Sequence, residues 1–118
     1  MNEAYRALRD PVARAQYLLS LRGIEAFGET DTALPYDFLE RQLERREAAG
    51  EALAAEDASR LGAIAAEVHA DAERVEQRLA ARLDAEGAFD AARDDVRQFR
   101  FLAKLAADID EMQATLDD

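Results

Sequence analysis

The sequence predicts an all-α protein, and three observations carry that prediction. Alanine is abundant, and Glu, Arg and Leu supply most of the rest, all of them good helix formers. Both prolines, Pro11 and Pro35, lie before position 36, and glycine is scarce. No segment sustains the period-2 alternation of a half-buried strand.

The elements follow in order. Residues 2–9, NEAYRALR, predict a short helix ended by Asp10-Pro11, because the residue before a proline is pushed out of the α region. Pro11 suits the first turn of a second helix over 11–22, which carries Val12, Ala15, Leu18, Leu19 and Leu21 and stops at Gly23. Residues 23–34 hold Gly, Thr and Asp and predict a loop. A third helix runs from near Pro35 to about Ala55. Gly50 lies inside it at a cost of roughly 1 kcal/mol relative to Ala, so a weak point or an end is expected there.

Asp57 or Ser59 can cap a fourth helix over 57–84. That helix has the clearest period in the chain: Leu61, Ile64, Val68, Ala72, Val75, Leu79 and Leu83, one stripe in steps of three and four. Gly87 breaks the chain. The fifth helix, 88–116, carries Phe89, Ala92, Val96, Phe99, Ala103 and Ala106, with a drift toward Leu102, Leu105, Ile109 and Leu116. The last three helices, joined by short connections, predict an antiparallel three-helix bundle over 35–118. The first two, within 1–22, form a separate piece with too few apolar residues for its own core, and are expected to dock on the bundle.

Composition removes several function classes. The chain has 118 residues, enough for one modest domain or a domain with a fragment of another. Its net charge is −11 and its pI about 4.5, which argues against duplex nucleic acid or an anionic membrane as the main partner and favours a basic protein partner. With no cysteine there is no disulfide, cysteine zinc site or iron–sulfur ligation. That suits a cytoplasmic location. No apolar run approaches the roughly 18 residues of a membrane span, and MNEAYRALRD has no signal-peptide pattern.

Chemistry is hard to find. Carboxylates are everywhere, so no pair stands out as a general acid and base. His69 is the sole histidine, flanked by Val68 and Ala70, and reads as a surface or core-edge residue rather than a metal ligand or triad member. Glycine-rich phosphate loops are absent. The sequence reads as a non-enzyme with no cofactor and no metal.

The informative stretch is FLERQLERRE, residues 38–47. On a helix, at about 100° per residue, Glu40, Glu44, Glu47 and Glu51 form one acidic stripe. Leu39 and Leu43 lie beside it, while Phe38 and Ala49 can turn inward. Two readings are open: leucines in the core with solvated glutamates, or a docking edge whose apolar ridge supplies affinity and whose acidic row supplies orientation and association rate. In the fifth helix Phe99 and Phe101 point about 200° apart. Phe99 fits the stripe of Ala92, Val96 and Ala103, so it is expected in the core. Phe101 is expected at or beyond the core edge, where it can meet Leu39 and Leu43.

Three stretches resemble one family. NEAYRALRDPVARAQYLLSLRG resembles the end of the J domain and the connector helix of HscB, the J-type co-chaperone of iron–sulfur cluster assembly. FLERQLERRE resembles the opening of the HscB C-terminal domain, and DDVRQFRFLAKL its last helix. The resemblance implies 1–22 as the end of the J domain and its connector, 23–34 as a loop, and 35–118 as the C-terminal domain. It implies binding to the scaffold protein IscU and delivery of IscU to the chaperone HscA with stimulation of its ATPase. It also implies a scaffold-binding surface made of Leu39, Leu43 and Phe101 with Glu44, Glu47 and Glu51. Glu40 departs from the family, which often has an apolar residue there; this shrinks the apolar patch and extends the acidic row. A second departure is the lack of the chaperone-stimulating His-Pro-Asp sequence. The chain is expected to begin inside the last J-domain helix and to hold the scaffold-binding half alone. The competing reading is a structural helical module that self-associates through its fourth and fifth helices.

Overall fold

In the computed structural model, residues 11–21, 34–84 and 89–117 are described. They form four helices: α1 Pro11–Leu21, α2 Tyr36–Ala54, α3 Ala58–Asp84 and α4 Phe89–Asp117. No strand occurs among the described residues, as the missing period-2 pattern predicts. The helix expected over 2–9, all but Leu34 of the loop expected over 23–34, and the break at Gly87 lie outside the described residues.

The chain divides into two compact units, 1–33 with 73–100 and 34–72 with 101–118. In the first, α1 packs against the later part of α3 and the earlier part of α4. Ala15, Leu19, Leu79, Ala92 and Val96 make a fully buried cluster, with Val12 and Leu83 packed against it. The docking expected of 1–22 is present in part: α1 lends Ala15 and Leu19, with Val12 beside them, to a core it could not build alone, whereas Leu21, at the end of the helix, is exposed. Each leucine-sized side chain buried in this way contributes about 1.5–3 kcal/mol before ordering entropy is subtracted.

The second unit is a three-helix bundle. Glu51 faces Arg60, and Arg45 faces Glu67 and Asp71, so α2 and α3 run antiparallel. A Cβ built on Gly62 would lie 3.4 Å from Gln113 Nε2, and His69 meets Asp110, so α3 and α4 are antiparallel as well. Phe38 meets Phe101, and Arg46 meets Asp108, so α2 and α4 are parallel. The stripe of α3 supplies Leu61, Ile64 and Val68 to this unit's buried set, and α4 supplies Leu102, Leu105, Ala106 and Ile109.

Two expectations need correction. Gly50 is neither an end nor a break. It lies on the exposed side of a continuous α2, with nothing within 4 Å of an added Cβ. The helix ends four residues later through backbone hydrogen bonding. Asp57 N–H donates to Ala52 C=O at 2.9 Å and Glu56 N–H to Leu53 C=O at 3.0 Å. This is the paired closure of a Schellman motif, with Glu56 at the left-handed position, φ 55°. Asp57 then opens α3 as its cap: its Oδ1 accepts from Arg60 N–H at 3.0 Å.

The second correction concerns Phe99 and Ala103. Ala103 is exposed, and Phe99 is only half-buried. The reason is helical phase. The ridge that is buried runs through Leu102, Leu105 and Ile109. At about 100° per residue it bisects the two phenylalanines, leaving each about 80° to one side. Phe99 and Phe101 therefore occupy opposite flanks of α4, and neither is at the core's centre.

Candidate partner-docking site

α2 turns Gln42, Arg45, Ala49 and Ala52 inward, with Phe38 half-buried beside them. Arg45 can occupy the core face because its charge is met there. Its Nη1 lies 2.6 Å from Asp71 Oδ2 and donates to Gln42 Oε1 at 3.1 Å, and its Nη2 is 3.6 Å from Glu67. The inward face of α2 is thus fixed without Leu39 or Leu43.

Those two leucines lie on the flank that also bears Arg46. Leu39 is half-buried and Leu43 is 59% exposed, a large apolar side chain left to water. An aromatic pair joins α2 to α4. The rings of Phe38 and Phe101 meet edge to face with centroids 5.9 Å apart. Phe101 is half-buried, so part of it is presented at the surface. Glu40, Glu44, Glu47 and Glu51 are all exposed on the far side of the leucines. Of this row, Glu51 approaches a cation, Arg60, at 3.6 Å.

The α2 positions therefore lie in strips around the helix: carboxylates, then Leu43 and Leu39, then Arg46. The α4 flank facing α2 carries Phe101 and Asp108. All six residues expected at the site fall in the second unit. The structure places Leu43 and the glutamates in water, with Leu39 and Phe101 at the core's edge.

Three further residues at this edge were not read from the sequence. Asp108 accepts from Arg46 Nη2 at 2.9 Å and from Lys104 Nζ at 3.1 Å. The hydrogen bond from Lys104, with the positive charges of Lys104 and Arg46, holds its carboxyl below the usual range. Lys104–Asp108 is an i, i+4 pair and could have been noticed; its link to α2 required the fold.

His69 is exposed and pairs with Asp110 at 3.1 Å. Among the described residues no group of three His, Cys, Asp or Glu is arranged to hold a metal ion, and no helix is long and apolar enough to cross a membrane.

A family profile described as the HSCB C-terminal oligomerisation domain matches residues 34–110. The chain belongs to the HscB family. Residues 34–110 take in α2, α3 and all but the last turns of α4, the elements that build the edge described above. The chain is similar along nearly its whole length to HscB proteins named as co-chaperones. It is 44% identical to the co-chaperone protein HscB homolog of Ralstonia nicotianae over 99% of this chain and 66% of that protein. Identity is 46% with the homolog of Burkholderia vietnamiensis over 92% of this chain and 61% of that protein, and 39% with that of Azoarcus sp. over 100% and 67%. The chain spans about two thirds of the length of these curated HscB relatives.

Proposed function

We propose that this chain is the scaffold-binding part of an HscB-type co-chaperone of iron–sulfur cluster assembly, acting in the cytoplasm. Residues 1–22 are the end of a J domain with its connector, and 35–118 are the C-terminal domain. An IscU-type scaffold protein docks on Leu39, Leu43 and Phe101, with Glu44, Glu47 and Glu51 at the rim. The observation that carries this reading is Leu43. A leucine 59% exposed next to a row of carboxylates, in a chain of this family, suits an anchor for a partner with a basic surface. The apolar residues supply affinity. The glutamates act mainly on association rate, and salt screens them beyond a Debye length of about 8–10 Å.

In the longer proteins of the family the bound scaffold is handed to an HscA-type chaperone whose ATPase is stimulated. This sequence contains no His-Pro-Asp, so by itself the chain leaves the HscA ATPase at its basal rate. A several-fold rise on adding the chain alone would contradict that.

Titration of the chain into a purified IscU-type scaffold, followed by calorimetry, tests the reading. Saturable binding that weakens with salt supports it, and no binding at tens of micromolar overturns it. A second reading, self-association, has support in the description of the matched family, which names oligomerisation. Light scattering of the chain alone separates the two: a concentration-dependent rise in mass favours self-association.

A further inference from the structure

The Arg46–Asp108–Lys104 cluster is not part of the acidic rim, and its composition is unbalanced. Two cations share one carboxylate, giving a local charge of +1 in a chain of net charge −11. Both cations reach water: the side chain of Arg46 is 50% exposed and that of Lys104 is 74% exposed. Each has donors to spare. Arg46 uses one nitrogen on Asp108, and Lys104 uses one of its three protons.

The register puts this cluster at the apolar ridge. Arg46 is i+3 from Leu43 on α2, and Lys104 is i+3 from Phe101 on α4, so each anchor has a cation as its neighbour on the helix surface. Around α2 the leucines lie between the glutamate row and Arg46. The docking edge is therefore polarised, with carboxylates along one side of the ridge and spare cationic donors along the other.

We propose that Lys104 and Arg46 receive a carboxylate of the partner, and that Asp108 occupies that place in the free protein. The inference rests on the scaffold-docking reading and sharpens it. The segment that docks carries an apolar anchor with basic residues on one side and an acidic residue on the other. Such a pattern fixes one orientation of the partner, because a reversed segment would set like charges against each other on both sides.

The sign of two substitutions tests this. Attraction of a basic partner to an acidic surface, without a local contact, makes Lys104→Glu tighten binding and Asp108→Asn weaken it. Capture of a partner carboxylate makes both change the other way. Exposed ion-pair energies convert to a weakening of about fivefold for Lys104→Glu. Asp108→Asn leaves both cations open and tightens binding about two- to threefold. Dissociation constants for the IscU-type scaffold are measured on both variants beside wild type and Leu43→Ala, with circular dichroism showing that each is folded. Should Asp108→Asn weaken binding, or Lys104→Glu leave it unchanged or tighter while Leu43→Ala weakens it, the cluster is only a brace between α2 and α4. In that case the inference fails and the docking reading stands. Should Leu43→Ala have no effect, the docking reading itself fails.

Discussion

The two units of the chain bury charge differently: among the described residues the first buries Asp95 and Arg97, the second Arg45. In the first, the carboxylate is inside. Asp95 is 1% exposed, and Arg78 Nε and Arg82 Nη1 reach it at 2.9 and 2.7 Å. Arg82 also donates to Ala91 C=O at 3.2 Å, and Arg78 to Gln98 at 3.0 Å. In the second, the arginine is inside and its carboxylates lie further out, with Glu67 well exposed. Both units leave large apolar side chains in water, Tyr17 and Leu21 in the first and Tyr36 and Leu43 in the second, where Leu43 lies beside the exposed glutamate row. A buried ion pair is a poor source of net stability, but breaking one from the wrong end is costly. The first unit is thus the more exposed to loss of its surface arginines, and the second carries surface features with little bearing on its core.

The largest effect expected from this contrast follows removal of both Arg78 and Arg82. The double substitution to Ala leaves Asp95 buried without its cations and should cost about 3–5 kcal/mol. Asp95→Asn should cost less, about 1–2 kcal/mol, since both arginines can turn to water. Urea unfolding of the three proteins checks the order. Equal losses would show that the clamp is not asymmetric.

Next come the two phenylalanines. Both are half-buried on opposite flanks of α4, so Phe99→Ala and Phe101→Ala should each lower stability by about 1–3 kcal/mol, below the cost of truncating a core phenylalanine. Only Phe101→Ala should also weaken scaffold binding, by about tenfold. A loss of binding from Phe99→Ala, with Phe101→Ala silent, would put the docking flank on the other side of α4.

Two smaller changes should stabilise the second unit. Gly50→Ala fills open space on an exposed helix face and should add about 1 kcal/mol. Glu56→Gly relieves the left-handed position at the α2 terminus and should add a similar amount. Thermal unfolding reads both, and a lower midpoint for either would show that its backbone is not as described.

The smallest effect is that of pH on Asp108. Its carboxyl is held below the ordinary range by Lys104 first and Arg46 second. A lowered folded-state value stabilises above the unfolded-state range, near pH 4, and is lost as pH falls through the lowered value. Asp108→Asn should therefore be slightly less stable than wild type at about pH 6, with the gap closing in strong acid. A gap that widens in acid would reverse the sign of this contribution.

How far the sequence reached depended on the kind of signal. The α3 stripe from Leu61 to Leu79 is long and regular, and every member is buried. Asp57 as a cap was also legible, because the residue type and the mechanism coincide. The end of α2 was not: Glu56 adopts the left-handed conformation in place of a glycine, so composition pointed to Gly50 instead. In α4, alanines at 92, 103 and 106 allow several phases, and the choice of Ala103 over Leu102 pulled Phe99 into the core. Asp95 was hidden among 26 acidic residues, since nothing local marks which of them two arginines on the preceding helix will meet. Leu39, Leu43 and the glutamate row could be read because their spacing is local to one helix. Arg46, Lys104 and Asp108 could not, because they become a group only when α2 and α4 lie side by side.

The most direct test of the contrast is a paired measurement on Leu43→Ala: its dissociation constant for a purified IscU-type scaffold and its unfolding free energy. Exposure of Leu43 predicts binding weakened by about tenfold or more, with stability within about 0.5 kcal/mol of wild type. Wild-type binding together with a loss of several kcal/mol in stability would make Leu43 a core residue and remove the docking edge.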